Sequence, residues 1–229
     1  VEDHVFAASS TYTNPMDAIE FFKKTKVDAL AISYGTKHGA NKGANTVIRK
    51  EIAIATKECM RHEGIDGVLV SHGSSTVPQY IVKEINALGG DVQNAYGIKI
   101  EQLQEVAKCG IGKINVDTDI RLAVTRNFRE LFRDKPSLKN SPSIGPVYEL
   151  MVKNPSAFDP RVFLPPVMDA VMYGNINDDD TRLLFERMEA GVKEAVGSLI
   201  IQFGSYGKAP LIECVTLDEM AERYKKAGI

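Results

Sequence analysis

Two short apolar runs, each breaking into a histidine followed at once by glycine, constrain this chain more than any other feature. Ala29-Leu30-Ala31-Ile32 leads into Ser33-Tyr34-Gly35-Thr36-Lys37-His38-Gly39, and Gly67-Val68-Leu69-Val70 leads into Ser71-His72-Gly73-Ser74-Ser75. Short apolar runs closed by glycine read as buried strands running out into loops. His38 and His72 stand one strand–helix–strand unit apart, about 30 residues. A third run, Gly112-Lys113-Ile114-Asn115-Val116-Asp117-Thr118-Asp119, breaks into an amide, two carboxylates and a hydroxyl before a helical stretch. Parallel strands with polar ends gather those side chains on one rim of a sheet or barrel, where the chemistry of such barrels sits. The competing account is a core histidine satisfied by its neighbours. It suits one histidine better than two at matched strand ends.

Helix signals fill the spaces between the strands. Asn14-Pro15-Met16-Asp17 is a cap, a proline at the first helical position and an acidic first turn, and it predicts a helix to about Thr25 buried through Ala18, Phe21 and Phe22. A second helix is expected over 47–61 with Ile48, Ile52, Ala55 and Cys59 inward. A third opens at Pro78, buries Tyr80, Ile81 and Ile85, and stops at Gly89-Gly90; residues 91–99 form a loop, and 100–109 a helix packed through Leu103 and Val106. Another covers 120–134. The Ser/Pro-rich stretch 135–146 then marks a boundary, beyond which helices are expected over 167–173 and 181–196, with a capping box at Thr216-Leu217-Asp218-Glu219 opening a last one.

Three strand–helix units are too few to close an eight-stranded barrel, so the chain reads as the second half of a larger one. Residues 1–134 carry the later barrel strands, and 135–229 a linker and helical extension suited to oligomer contact. A net charge of −2 gives no reason to expect nucleic acid or an anionic membrane as a partner. No apolar stretch approaches the ~20 residues of a membrane span. The odd, scattered cysteines Cys59, Cys109 and Cys214 favour free thiols in a reducing compartment, with the cytoplasm expected.

A catalytic zinc site takes about three protein ligands and an open position, and His38 and His72 can supply two. His62, just before Gly64, reads instead as a helix-end residue and His4 as solvated. Gly39 and Gly73 expose backbone N–H groups, and Ser74-Ser75-Thr76 precedes a helix, which together form an anion cradle. The plainer alternative is capping, of one helix by Ser75 or Thr76 and of the next by Asp117 or Thr118. Lys42 stands in a Gly/Asn loop where it can face a phosphate, although alone it reads as a surface lysine. The run Asn177-Asp178-Asp179-Asp180 lacks calcium-loop spacing and reads as a helix N-terminus.

Taken in order, these motifs resemble the class II, zinc-dependent fructose-1,6-bisphosphate aldolases. The resemblance runs from Glu2 to about Phe163 and rests on Glu2-Asp3, Gly35-Thr36-Lys37-His38-Gly39, Ser71-His72-Gly73-Ser74-Ser75, Lys113 to Asp119, and Phe158-Asp159-Pro160-Arg161. It implies an α/β TIM (β/α)8 barrel entered after the fifth strand, with a helical C-terminal extension longer than the tail expected of the family. His38 and His72 match two zinc ligands. Gly39, Lys42, Gly73, Ser75, Asn115, Asp117 and Thr118 match positions around the dihydroxyacetone phosphate end, beside which a monovalent cation (Na+ or K+) binds. Glu2 matches a loop glutamate used in proton transfer, with Asn115 also at the reacting centre. Arg161 matches an arginine that reaches a neighbouring subunit's site, which implies a homodimer or homotetramer. The family's other zinc ligands and a catalytic aspartate fall upstream of Val1, and Asp3-His4 does not replace them.

The implied reaction is reversible cleavage of fructose 1,6-bisphosphate to dihydroxyacetone phosphate and glyceraldehyde 3-phosphate, with zinc as Lewis acid. A tagatose-bisphosphate aldolase and a non-catalytic barrel with a decayed metal site are the alternatives. A lysine Schiff-base enzyme needs a desolvated strand-end lysine, and Lys37 and Lys42 both sit in polar loops.

Overall fold

The structure is a computed structural model that describes residues 12–43 and 46–228. Three short strands, β1 (Ala29–Ala31), β2 (Val68–Ser71) and β3 (Ile111–Ile114), form a parallel sheet in the order β1-β2-β3. Register runs Ala29↔Val68 and Leu30↔Leu69 on one side of β2, then Val70↔Lys113 and Ser71↔Ile114 on the other, past an irregularity at Leu69/Val70. All three predicted strands are present. Because they are parallel and in sequence order, their C-terminal ends open on one side, which is what brings the polar strand ends together.

Helices α1 (Pro15–Thr25), α2 (Lys50–His62), α3 (Gln79–Ala87) and α4 (Ile100–Lys108) connect and flank the strands. The Asn14 side chain accepts from the Met16 N–H at 2.9 Å, so the predicted cap forms. The buried stripe of α1 is Ala18, Ile19 and Phe22, whereas Phe21 is exposed. In α2 the buried face is Ala53, Thr56 and Met60, one position round from the expected Ile52, Ala55 and Cys59. Ile48 is buried but precedes the helix, which begins three residues later than expected. Thr56 returns its hydroxyl to Ile52 O at 2.7 Å, so it turns a methyl inward with its polar atom satisfied. Likewise Tyr80 lies outside while Ile81, Val82 and Ile85 face the core.

Beyond β3, α5 (Thr118–Asp134) is the best-buried helix of the chain, and α6 (Gly145–Lys153), α7 (Met168–Tyr173), α8 (Asp179–Gln202) and α9 (Leu217–Ala227) follow. Asp178 caps α8 through Thr181, and Thr216 and Glu219 form the expected capping box on α9. The 135–146 stretch is not an exposed tether. Leu138, Ile144 and Val147 pack with Phe128, Leu131 and Phe132 of α5 and with Phe163 and Leu184 in one apolar cluster. A second cluster lies under the sheet around Tyr34, Leu69, Leu103 and Ile111. Gly191 lets α8 seat on α5: a Cβ there would meet the backbone of Ala123 and Val124 at 2.9 Å.

Candidate metal and phosphate site

The two histidine loops meet at the backbone. Gly73 has φ +62°, and a Cβ there would lie 2.6 Å from Lys37 O and 3.1 Å from His38 N. Only glycine allows that approach. It sets the His38 and His72 rings side by side, centroids 5.7 Å apart and tilted by 31°. Two imidazoles on one tetrahedral ion have centroids about 5 Å apart, given nitrogen–zinc distances near 2 Å. The pair therefore fits as two ligands of a shared ion. Among the described residues no group of three or more His, Cys, Asp or Glu side chains is placed to hold a metal. The Asn115 amide reaches His72 Nε2 at 3.1 Å, which brings the third strand end to the same point.

Beneath His72 lies a buried hydroxyl chain that sequence reasoning did not single out. Tyr34, fully buried, shares a hydrogen bond with Ser71, which shares another with Ser74, and the Ser74 hydroxyl donates to His72 O at 3.3 Å. Burial pushes the Tyr34 phenol above its ordinary value, against the pull of both serines. The sequence signal was available only as a polar residue inside an apolar run.

The capping alternative holds in exchanged form: Ser75 serves the start of α5, not that of α3. Helix α3 starts at Pro78 with no side-chain cap, and Asp117 precedes α5 without capping it through its own carboxylate. Instead Ser75, from the loop after β2, accepts from Asp117 N at 3.3 Å and Thr118 N at 3.0 Å. In return Asp119, from the first turn of α5, accepts from Thr76 N at 3.0 Å, Thr76 Oγ1 at 2.7 Å and Val77 N at 2.8 Å. Each loop satisfies the other's open amides. Burial raises the Asp119 acid value, and the Thr76 and Val77 donors work against that. Val77 is held at φ +50°, a region β-branched residues avoid.

Lys42 is not a surface lysine. It is 4% exposed, its ammonium donates to Lys37 O, and burial lowers its value while Asp119 pulls the other way. Its backbone is pinned by Lys42 N to Tyr96 O at 2.9 Å. Gly39, at φ +88°, has open space where a Cβ would stand, so its freedom is conformational. Asp117 is clasped by Arg121 (2.7 Å), which also pairs with Asp159. Arg161 is exposed and lays its guanidinium on Asp159, with Nε at 3.0 Å and NH2 at 2.7 Å from Oδ2. Within one chain, then, Arg161 pairs with a carboxylate on the surface. His62 lies exposed in the last turn of α2, as expected. Glu2 and His4 lie outside the described residues.

Paired imidazoles, glycine-lined loops and a buried ammonium gather beyond the ends of parallel strands, groups whose chemistry suits a metal ion and a phosphate. The comparison with known sequences makes this specific: the chain belongs to the class II fructose-bisphosphate aldolase family, whose profile matches residues 1–208. That match extends past Phe163, so the segment through α8 lies within the family's own length and is no addition to it. Fructose-bisphosphate aldolase 2 of Cereibacter sphaeroides is 35% identical over 96% of this chain and 51% of its own length. The fructose-bisphosphate aldolase of Xanthobacter flavus is 36% identical over 94% of this chain and 50% of its own. The chain thus spans about half the length of the curated relatives it matches. A solved structure described as a fructose-1,6-bisphosphate aldolase, from Coccidioides immitis, overlays with a TM-score of 0.48 at 18% identity, covering 88% of this chain and 46% of that one. No described helix is long and apolar enough to cross a membrane.

Proposed function

We propose that this chain forms the later half, strands six to eight, of a TIM barrel that cleaves fructose 1,6-bisphosphate reversibly to its two triose phosphates. The carrying observation is the approach of His38 and His72 across the Gly73 contact. These residues would hold zinc with ligands from elsewhere in the protein, and the ion supplies Lewis-acid polarisation of the ketone. Gly39, Gly73, Ser75 and Thr118 offer backbone N–H and hydroxyl groups to the dihydroxyacetone phosphate end, with Lys42 charge nearby and a monovalent cation beside them. Asn115, whose amide already touches His72, orients the oxygens at the reacting carbons, and Asp117 takes a substrate hydroxyl. Glu2 moves the proton at the carbon that becomes nucleophilic. Arg161 turns from Asp159 to the far phosphate in a neighbouring subunit, so the enzyme works as a homodimer or homotetramer in the cytoplasm. Residues 1–134 carry the barrel strands and 135–229 the subunit contacts.

The test is a coupled assay of the full-length protein that carries this chain. Zinc-dependent cleavage of fructose 1,6-bisphosphate, abolished together with stoichiometric zinc in His38→Ala and His72→Ala, is expected. Zinc content unchanged in both variants would overturn the metal assignment.

A further inference from the structure

A cleft of about 550 Å³ opens directly beside His38 and Gly39, lined on its far side by residues 91–95 and by Ser156 and Phe158. Residues 91–95 and Ser156 belong to none of the sequence motifs, whereas His38, Gly39 and Phe158 do. Its volume is that of a small-molecule site. The loop forming its wall is irregular, yet fixed at every turn. Asn86 holds both backbone groups of Val92 (2.7 Å to its N–H, 3.1 Å to its carbonyl). Asp91 N donates to Pro155 O at 2.8 Å, Gln79 donates to Ala95 O at 2.9 Å, and Tyr96 N donates to Ala40 O at 2.8 Å. Asn94 stands at φ +54°, which asparagine tolerates better than most residues. Asp91 orients the Gln93 amide through a 2.6 Å bond. An ordered loop that presents amides at a strand-end rim is the usual form of a recognition wall.

The chemistry of the lining selects a ligand class. Its polar side chains are the His38 imidazole, the amides of Asn41, Gln93 and Asn94, the Ser156 hydroxyl and the Asp91 carboxylate, with no lysine or arginine among the described residues that line it. A phosphate would meet a carboxylate here and no cation to offset it. Neutral hydroxyl groups match amides and hydroxyls in both directions, as donors and as acceptors. Val92, Ala95 and Phe158 supply an apolar floor for a carbon chain.

We infer that Gln93 and Asn94 are specificity-determining residues that read the chain hydroxyls of the sugar beyond the metal, and so set which epimer of a ketose bisphosphate is cleaved. The inference rests on the aldolase reading, because His38 is both a wall of the cleft and a proposed metal ligand. Gln93 and Asn94 are not among the residues assigned to the triose phosphate end, although Gly39, which is, borders the same cleft.

The experiment compares kcat/KM for fructose 1,6-bisphosphate and its C4 epimer, tagatose 1,6-bisphosphate, in wild type, Gln93→Ala and Asn94→Gly. Both side chains are exposed, and glycine accepts the Asn94 backbone angle, so folding is not at stake. Asn94→Asp provides a second variant at that position with the side-chain size retained. The ratio between the epimers should shift by about ten-fold per lost hydrogen bond. Zinc content and the Kd for dihydroxyacetone phosphate alone should not change. An unchanged ratio in all three variants overturns the inference and leaves the aldolase reading intact. Weaker dihydroxyacetone phosphate binding with both epimers affected equally also overturns it, since the cleft would then belong to the triose end. A wild-type protein that cleaves neither bisphosphate, with zinc bound, removes the aldolase reading and this inference together.

Discussion

Replacing Asp119 by asparagine tests the reciprocal bonding of the two strand-end loops. The carboxylate uses Oδ2 for both Thr76 donors and Oδ1 for the Val77 N–H. Asparagine has one acceptor oxygen. Directed at Thr76 it keeps two bonds, but its NH2 then faces the Val77 N–H and leaves a buried donor unmet, at about 1–3 kcal/mol. Against this, asparagine escapes the burial cost that raises the Asp119 acid value, a partial offset because the carboxylate already has three donors. Val77, at φ +50° and 1% exposed, also stores strain of about 1–3 kcal/mol that its bond to Asp119 helps to hold. A net loss near 2 kcal/mol corresponds to an opening equilibrium about 30-fold larger. The assay is hydrogen exchange resolved at single amides. Val77 should lose protection by that factor in Asp119→Asn, whereas Ser75→Ala should expose Asp117 and Thr118 instead. Equal protection of Val77 in wild type and Asp119→Asn would refute the reasoning, as would the same pattern of loss in both variants.

Gly73→Ala should cost at least about 2 kcal/mol, because the Cβ meets Lys37 backbone and the residue sits at φ +62°; it should also lower zinc stoichiometry in the full-length protein, measured by metal analysis. Lys42 has a folded value below 10.5, so between that value and 10.5 the unfolded chain binds more protons and stability contributed by this group rises with pH. Lys42→Met should remove that rise, read as the difference between wild-type and variant denaturant midpoints from pH 7 upward; parallel curves would contradict the burial of this lysine. Arg161→Ala should raise KM for the bisphosphate about ten-fold or more with zinc retained. Mixing it with His72→Ala should restore activity by forming hybrid sites, and no recovery in mixtures shown to exchange subunits would place Arg161 outside a neighbour's site.

Local signals carried the sequence reading furthest where the physics is local. Asn14-Pro15, Asp178 and Thr216 with Glu219 each satisfy amides within a few residues, so the caps were legible and all three formed. The three strands were legible from apolar runs closed by polar residues. Helix faces were less so: in α2 Thr56 belongs to the buried face, and its hydroxyl, satisfied inside the helix, disguises it as polar. The site itself divided along the same line. His38 stands in the loop seven positions past Ala31, the last residue of β1, whereas His72 and Asn115 were legible as strand ends. The burial of Lys42 was not, because it depends on Tyr96 and the 91–96 loop, more than a helix away in sequence. Nor could any local rule show that Ser75 and Asp119 serve each other's helix and loop rather than their own.

The contact between Gly73 and Lys37 has a further meaning for how such a site can change. The two histidine loops approach main chain against main chain, Gly73 on Lys37, with no side chain interposed. Substitutions around the rim can therefore accumulate, altering what the neighbouring cleft accepts, while the approach of the loops stays as it is. Selectivity and loop geometry become separately adjustable properties, and the one position that ties them together is a glycine with no tolerated replacement.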